Sequence, residues 1–186
     1  MGPLDEEQDW IRQSRDGDPG AFAALVARYQ RMIHSLTFRM TGSLGDAEDL
    51  AQETFIQAFR RLEGFRGEAK FSSWLYQIAV NLCLNWRKSR MRREQAHRDW
   101  AEHEQVFGGE CAAMTSPDLE NTRRVQDALM KLPARQRAAV VLTVYDGMSH
   151  AEAARALGCS ETTVSWRIFA ARAKLKRFLR TKTTRD

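Results

Sequence analysis

The sequence predicts an all-α chain of two small helical domains joined by a flexible acidic linker. Three observations carry this. Apolar residues recur every three or four positions in each long segment, and nowhere do they alternate as in a half-buried strand. Residues 149–175 read as two short helices around a glycine turn, the outline of a helix-turn-helix. Between residues 93 and 119 the apolar period disappears, and Gly108-Gly109 and Ser116-Pro117 interrupt the chain as a linker would. A length of 186 residues accommodates one domain or two small ones. The break places the first at 1–93, the linker at 94–119 and the second at 120–186.

In the first domain, Gly17-Asp18-Pro19-Gly20 is a helix start signal, and Phe22, Leu25, Val26, Tyr29, Ile33 and Leu36 follow at helical spacing. A second helix is expected from the Gly45-Asp46 step to Leu62. Its first part, DAEDLAQE, holds Asp46, Glu48, Asp49 and Glu53, with no base before Arg60. Acids at a helix start suit the dipole, but Glu53 lies two turns in, so a solvated face and a docking face both stay open. A third helix opens near Ser72 with Leu75, Ile78, Ala79, Leu82 and Trp86 as its core stripe. Opposite that stripe, Gln77, Asn81, Asn85, Lys88 and Arg92 form an unbroken ridge of amides and cations. Amides can hydrogen-bond base edges and cations can pair with phosphates. Just ahead, Phe65, Phe71 and Trp74 gather around the loop FRGEAKF. Aromatics beside a basic surface can stack unpaired bases, with core packing as the rival use.

In the second domain, Ser149 and Glu152 make a capping box, after which Ala153, Ala154 and Leu157 face inward. Gly158 can adopt the positive φ that ends a helix, and Ser160 caps the next one. Val164, Ile168, Ala171, Leu175 and Phe178 then form one apolar stripe. The remaining surface offers Glu161, Thr162, Ser165, Trp166, Arg167 and Phe169, followed by Arg172, Lys174, Lys176, Arg177 and Arg180, as a face for duplex DNA.

Charge agrees with a nucleic-acid partner more by distribution than by amount, since 29 Lys+Arg against 24 Asp+Glu leaves only +5. Arg87, Lys88, Arg90, Arg92, Arg93 and Arg98 are opposed locally by Glu94 alone, and an acidic stretch of Asp99, Glu102, Glu104, Glu110, Asp118 and Glu120 follows. No apolar run approaches the ~20 residues a membrane-crossing helix needs, and no signal-peptide pattern opens the chain, so direct membrane insertion is not expected and a cytoplasmic location is. Cys83, Cys111 and Cys159 lack any C-x-x-C pairing and are expected as reduced thiols. His97, His103 and Cys111 match no zinc spacing, so no metal or other cofactor is expected. No glycine-rich phosphate loop, paired-carboxylate site or nucleophile constellation points to an enzyme.

Four segments, in order, resemble the extracytoplasmic-function group of the bacterial sigma-70 factors, the promoter-recognition subunits of RNA polymerase: DAEDLAQETFIQAF, FRGEAKFSSWLYQIAVN, LPARQRAAVVL and the terminal helix-turn-helix. The resemblance runs from about Asp18 to Leu179. It implies that Asp46, Asp49, Leu50, Gln52 and Glu53 dock on the β′ clamp helices of core RNA polymerase, and that residues 132–142 help pack against the β flap. It further implies that Phe65, Lys70, Phe71, Trp74, Gln77, Asn81, Asn85, Arg87 and Lys88 open the -10 element and hold its single strand, with a flipped base near Phe65 and Asn81. By the same resemblance Ser160, Glu161, Thr163, Ser165, Trp166, Arg167, Phe169 and Arg172 read the -35 duplex. An anti-sigma protein, membrane-anchored in many relatives, is the implied inhibitor. Where relatives carry a basic residue followed by a small one after the Thr-Val pair, this chain has Ser165 and Trp166, and a later position that is often arginine is Ala170, which shifts its readout toward aromatic and hydroxyl groups. A sigma-mimicking protein that sequesters an inhibitor and a stand-alone helix-turn-helix regulator are the competing readings.

Overall fold

The computed structural model describes residues 3–100 and 117–180, and every regular element among them is helical. The N-terminal unit comprises α1 (Pro3–Arg15), α2 (Pro19–Thr41), α3 (Leu44–Arg60), a 3-10 turn (Leu62–Gly64) and α4 (Phe71–Trp100). The C-terminal unit comprises α5 (Pro117–Met130), α6 (Ala134–Val140), a π-helical stretch (Val141–Tyr145), α7 (His150–Leu157) and α8 (Glu161–Arg180).

Local chemistry sets the boundaries. Asp18 caps α2 by accepting from the Gly20 N–H at 2.8 Å, with Pro19 in the first turn where its missing N–H costs nothing. Gly42, at φ 75°, closes that helix, and Ser43 opens α3 by accepting from the Asp46 N–H. The capping box at Ser149 and Glu152 forms in full, and Gly158 ends α7 at φ 58°. Ser160 accepts from the Thr163 N–H at 3.2 Å at the start of α8.

Two features depart from the sequence expectation. Helix α1 carries no strong start signal or long apolar stripe, yet it forms and buries Ile11 and Ser14. Helix α4 continues past Arg93 to Trp100, since RREQAHRDW contains neither glycine nor proline to stop it. The middle of the expected linker, 101–116, lies outside the described residues, as do the side chain of His97 and the whole of His103 and Cys111. Among the described residues no group of His, Cys, Asp and Glu could hold a metal ion, Cys83 and Cys159 are free thiols, and no helix is long and apolar enough to cross a membrane.

The two units pack on each other through one continuous core. Leu25, Ile33, Leu36, Leu75 and Ala79 from the first join Val141, Leu142, Ala153, Ala154 and Val164 from the second. Arg137, fully buried, binds the seam together. Its Nε donates to the Leu129 carbonyl (2.8 Å), its Nη2 to Met130 (2.8 Å) and Leu132 (3.1 Å), and its Nη1 to Met40 in the other unit. One guanidinium thus satisfies carbonyls at the C-terminal ends of α5 and α2, where the helix dipoles favour a cation. Gln126 donates to the Phe38 carbonyl at 3.0 Å, and Met130 packs where Gly42 leaves no room for a side chain.

Candidate nucleic-acid interface

Helix α4 is built with three faces. Leu75, Ile78 and Ala79 enter the core of the N-terminal unit. The expected ridge of Gln77, Asn81, Asn85, Lys88 and Arg92 is exposed along its whole length. Between them, Tyr76 and Cys83 are buried and Arg87 is half-buried on the face toward the C-terminal unit, close enough to Arg137 for the two cations to repel. Burial, then Arg87, lowers the Arg137 pKa to about 10, which leaves it charged at neutral pH. Arg87 therefore does not share the ridge's surface in this arrangement.

At the head of α4 the aromatics form a closed cluster. Phe65 and Phe71 meet edge-to-face with ring centres 5.4 Å apart, and Trp74 lies 5.2 Å from Phe65 and 5.6 Å from Phe71. Phe65 and Phe71 are buried, while Trp74 is half-buried and presents an accessible edge. The pair Phe65 and Phe71 is thus the floor of the loop rather than its open surface, a consequence of each ring completing the other's packing. Lys70 projects from the loop and pairs with Glu152 of α7 at 3.5 Å. The N–H and hydroxyl of Ser149, then Lys70, hold the Glu152 carboxyl below its ordinary pKa.

On α8, Trp166 is 63% and Phe169 75% exposed, so neither contributes to the core of this fold. They share the open face with Glu161, Ser165 and Arg172. Ser165 hydrogen-bonds His150 Nδ1 at 3.0 Å, and Ser160 and Thr163 are engaged in capping the helix. Arg167 points inward. Val164, Arg167, Ile168 and Ala171 fall on one helical arc, and Arg167 is buried with Nη1 donating to Cys159 Sγ at 3.4 Å. Its stem is packing material here, and its charge is withheld from a duplex laid along Trp166 and Phe169.

The acid-rich helix α3 divides similarly. Asp49 and Gln52 are exposed and Glu53 is half-exposed, accepting from Gln57 at 3.0 Å. Leu50 is buried, and Asp46 faces α4, accepting from Trp86 Nε1 at 3.2 Å and pairing with Arg90 at 3.6 Å. Beside the exposed acids lies a feature that sequence reasoning missed, an open apolar groove of about 970 Å³ between α2 and α3 lined by Phe22, Phe38, Leu44, Phe55, Ile56 and Phe59. The signal was the excess of large apolar residues in ETFIQAF over one core stripe: Ile56 and Phe59 are exposed, as is Leu44 at the start of the same helix. Residues 132–142 contribute mostly buried side chains, including Leu132, Ala138, Ala139, Val140, Val141 and Leu142.

This arrangement matches known proteins at both ends. Residues 25–93 match the family described as Sigma-70 region 2, and residues 122–175 match Sigma-70, region 4. The chain is 34% identical over 184 residues to the RNA polymerase sigma-H factor of Pseudomonas aeruginosa, covering 94% of each. It is 41% identical over 163 residues to the ECF RNA polymerase sigma factor SigM of Mycobacterium tuberculosis, covering 88% of this chain and 79% of that one. Among solved structures it resembles CnrH in complex with the cytosolic domain of CnrY (TM-score 0.69, 28% identity, 95% of this chain and 98% of that one). It also resembles the sigma factor RpoE bound to the anti-sigma factor NepR from Bartonella quintana (TM-score 0.66, 25% identity, 88% and 98%).

Proposed function

As a member of the extracytoplasmic-function group of the sigma-70 family, the chain acts with core RNA polymerase in promoter-specific initiation, and we propose that its two units divide that work between them. The N-terminal unit (1–93) docks on the polymerase and opens the -10 element; the C-terminal unit (120–186) reads the -35 duplex; residues 94–119 connect them. The observation that carries this reading is the ridge from Gln77 to Arg92, which is exposed at each of its five positions although it runs along a helix otherwise packed on two sides. Such a surface suits a strand whose bases have left the duplex, with Asn81 and Asn85 meeting base edges and Lys88 and Arg92 meeting phosphates. Trp74 and Lys70 flank the position of a flipped base. On α8, Trp166, Phe169, Ser165 and Arg172 enter the major groove.

Asp49, Gln52 and Glu53, at the edge of the apolar groove, form the β′ docking surface. The same groove suits an anti-sigma protein, and two structural relatives are complexes with an inhibitor or a cytosolic partner domain. Whether that inhibitor is membrane-anchored does not alter the site. The protein is a non-enzymatic factor working in the cytoplasm beside the polymerase.

Distance requires the units to separate. Here Lys70 of the first unit pairs with Glu152 on α7 of the second (3.5 Å), and His150 on that same helix hydrogen-bonds Ser165 of the reading helix (3.0 Å). Promoter elements about 25 base pairs apart lie about 85 Å apart along the duplex, at roughly 3.4 Å per step. The closed arrangement therefore reads one element at a time. Core polymerase plus the purified chain, given a genomic promoter library, should initiate at a defined subset that core alone ignores; an unchanged start-site profile refutes the reading.

A further inference from the structure

Helix α1 precedes the residues matched to the family, and none of the roles above uses it. Two separate routes nevertheless run from α1 to the loop FRGEAKF, one to each end. At the front end, Arg15 reaches back to the turn that leads into the loop: its Nε donates to the Leu62 carbonyl at 3.2 Å, and its Nη2 donates to the Phe65 carbonyl. At the far end, the route passes through α2. Glu7, buried, accepts from the Tyr29 hydroxyl and pairs with Arg28 Nε at 3.7 Å. Tyr29 packs its ring on Phe71 at 5.7 Å, and Phe71 supports Phe65 and Trp74. Burial and Glu7 raise the Tyr29 hydroxyl's pKa, so it stays a donor. Helix α1 is itself pinned by buried Ile11 and by Trp10, over which Arg28 stacks at 5.8 Å.

A loop gripped at both ends has few conformations left to lose. That matters for capturing an unpaired base, because unpairing costs a few kcal/mol and the pocket offsets this only if its groups are in place beforehand. Residues 66–70 of the loop are exposed, so they depend on their anchors at Phe65 and Phe71 for position. We propose that α1 is a brace for the promoter-opening loop, with Arg15 as the positioning residue that fixes the loop's first turn for an unpaired DNA base. This rests on the assignment of that loop to -10 opening.

The experiment uses holoenzyme assembled from core polymerase and the full chain. The probes are a single-stranded oligonucleotide carrying the non-template -10 region of a promoter the wild type transcribes, and a duplex carrying the -35 region alone. Arg15→Ala should weaken the single-strand complex about tenfold, mainly through faster dissociation. Arg15→Lys, which can reach one carbonyl but not span both, should fall between. Core affinity and -35 duplex binding should stay within about twofold for both variants. Unchanged single-strand affinity in Arg15→Ala overturns the brace, and so does an equal loss of duplex and core binding, which would make Arg15 a general stabiliser. Asn81→Ala separates the two levels. If it weakens the single-strand complex while Arg15→Ala does not, the brace alone fails; if neither does, the loop assignment fails and takes the brace with it.

Discussion

Replacing Arg137 tests whether one buried guanidinium holds the two units together. Its side chain is fully buried and serves carbonyls of Leu129, Met130, Leu132 and Met40, with no carboxylate partner at hydrogen-bonding distance among the described residues. Arg137→Ala removes every one of those donors. Each dry, unsatisfied carbonyl costs about 1–3 kcal/mol, offset by the desolvation that the guanidinium no longer suffers and by water entering the gap. The net loss should be about 3–5 kcal/mol, and at roughly 2–4 °C per kcal/mol for a chain of this size Tm falls by about 6–20 °C. Arg137→Met refills the volume without the donors and should recover less than half of the loss; Arg137→Lys keeps the charge but loses the planar fork and should do likewise. Urea unfolding of all four proteins provides the measurement. A Met variant within about 1 kcal/mol of wild type refutes the hydrogen-bonding argument and leaves packing alone.

Other expectations follow from the same geometry. Burial raises the Asp146 pKa to about 6 despite Arg39 and a hydrogen bond from Tyr76, so the folded state binds a proton that the unfolded chain releases near its ordinary 3.8. Stability should therefore fall as pH rises from about 4 through 6, and Asp146→Asn should flatten that slope in pH-dependent unfolding while gaining about 1 kcal/mol at pH 7. Because Trp166 and Phe169 are exposed, changing either to Ala should move stability by no more than about 0.5 kcal/mol yet weaken holoenzyme binding to a -35 duplex about tenfold, read by fluorescence anisotropy. Gly158→Ala, at φ 58°, should cost about 1–2 kcal/mol in the same unfolding assay. Burial pushes the Cys83 thiol up to about 12, so native-state alkylation should spare it until the protein unfolds.

Much of the fold was legible because local chemistry and packing agree. The capping box at Ser149, the turn at Gly158 and the stripe from Val164 to Ala171 each state the same helix-turn-helix, and the structure contains all three. The ridge on α4 was legible for a similar reason: a four-and-three spacing of polar residues opposite an apolar stripe has one place to go. What escaped was decided by partners remote in sequence. Helix α1 is polar along most of PLDEEQDWIRQSR, and its value appears only when Glu7 meets Tyr29 and Arg15 meets Phe65. Arg167 was read by charge as a surface residue, although its phase beside Val164 already placed it inward. The groove between α2 and α3 went unread because sequence shows that a residue is apolar, not whether the facing helix closes over it.

The division of labour between the units is tested most directly by measuring promoter opening and duplex binding on the same holoenzymes, using permanganate reactivity of unpaired thymines and anisotropy of a -35 fragment. Asn81→Ala should lose most of the opening signal and keep -35 binding within about twofold, while Trp166→Ala should lose -35 binding about tenfold and still open a promoter whose -10 region is already mismatched. Equal loss of both signals in either variant would contradict the account.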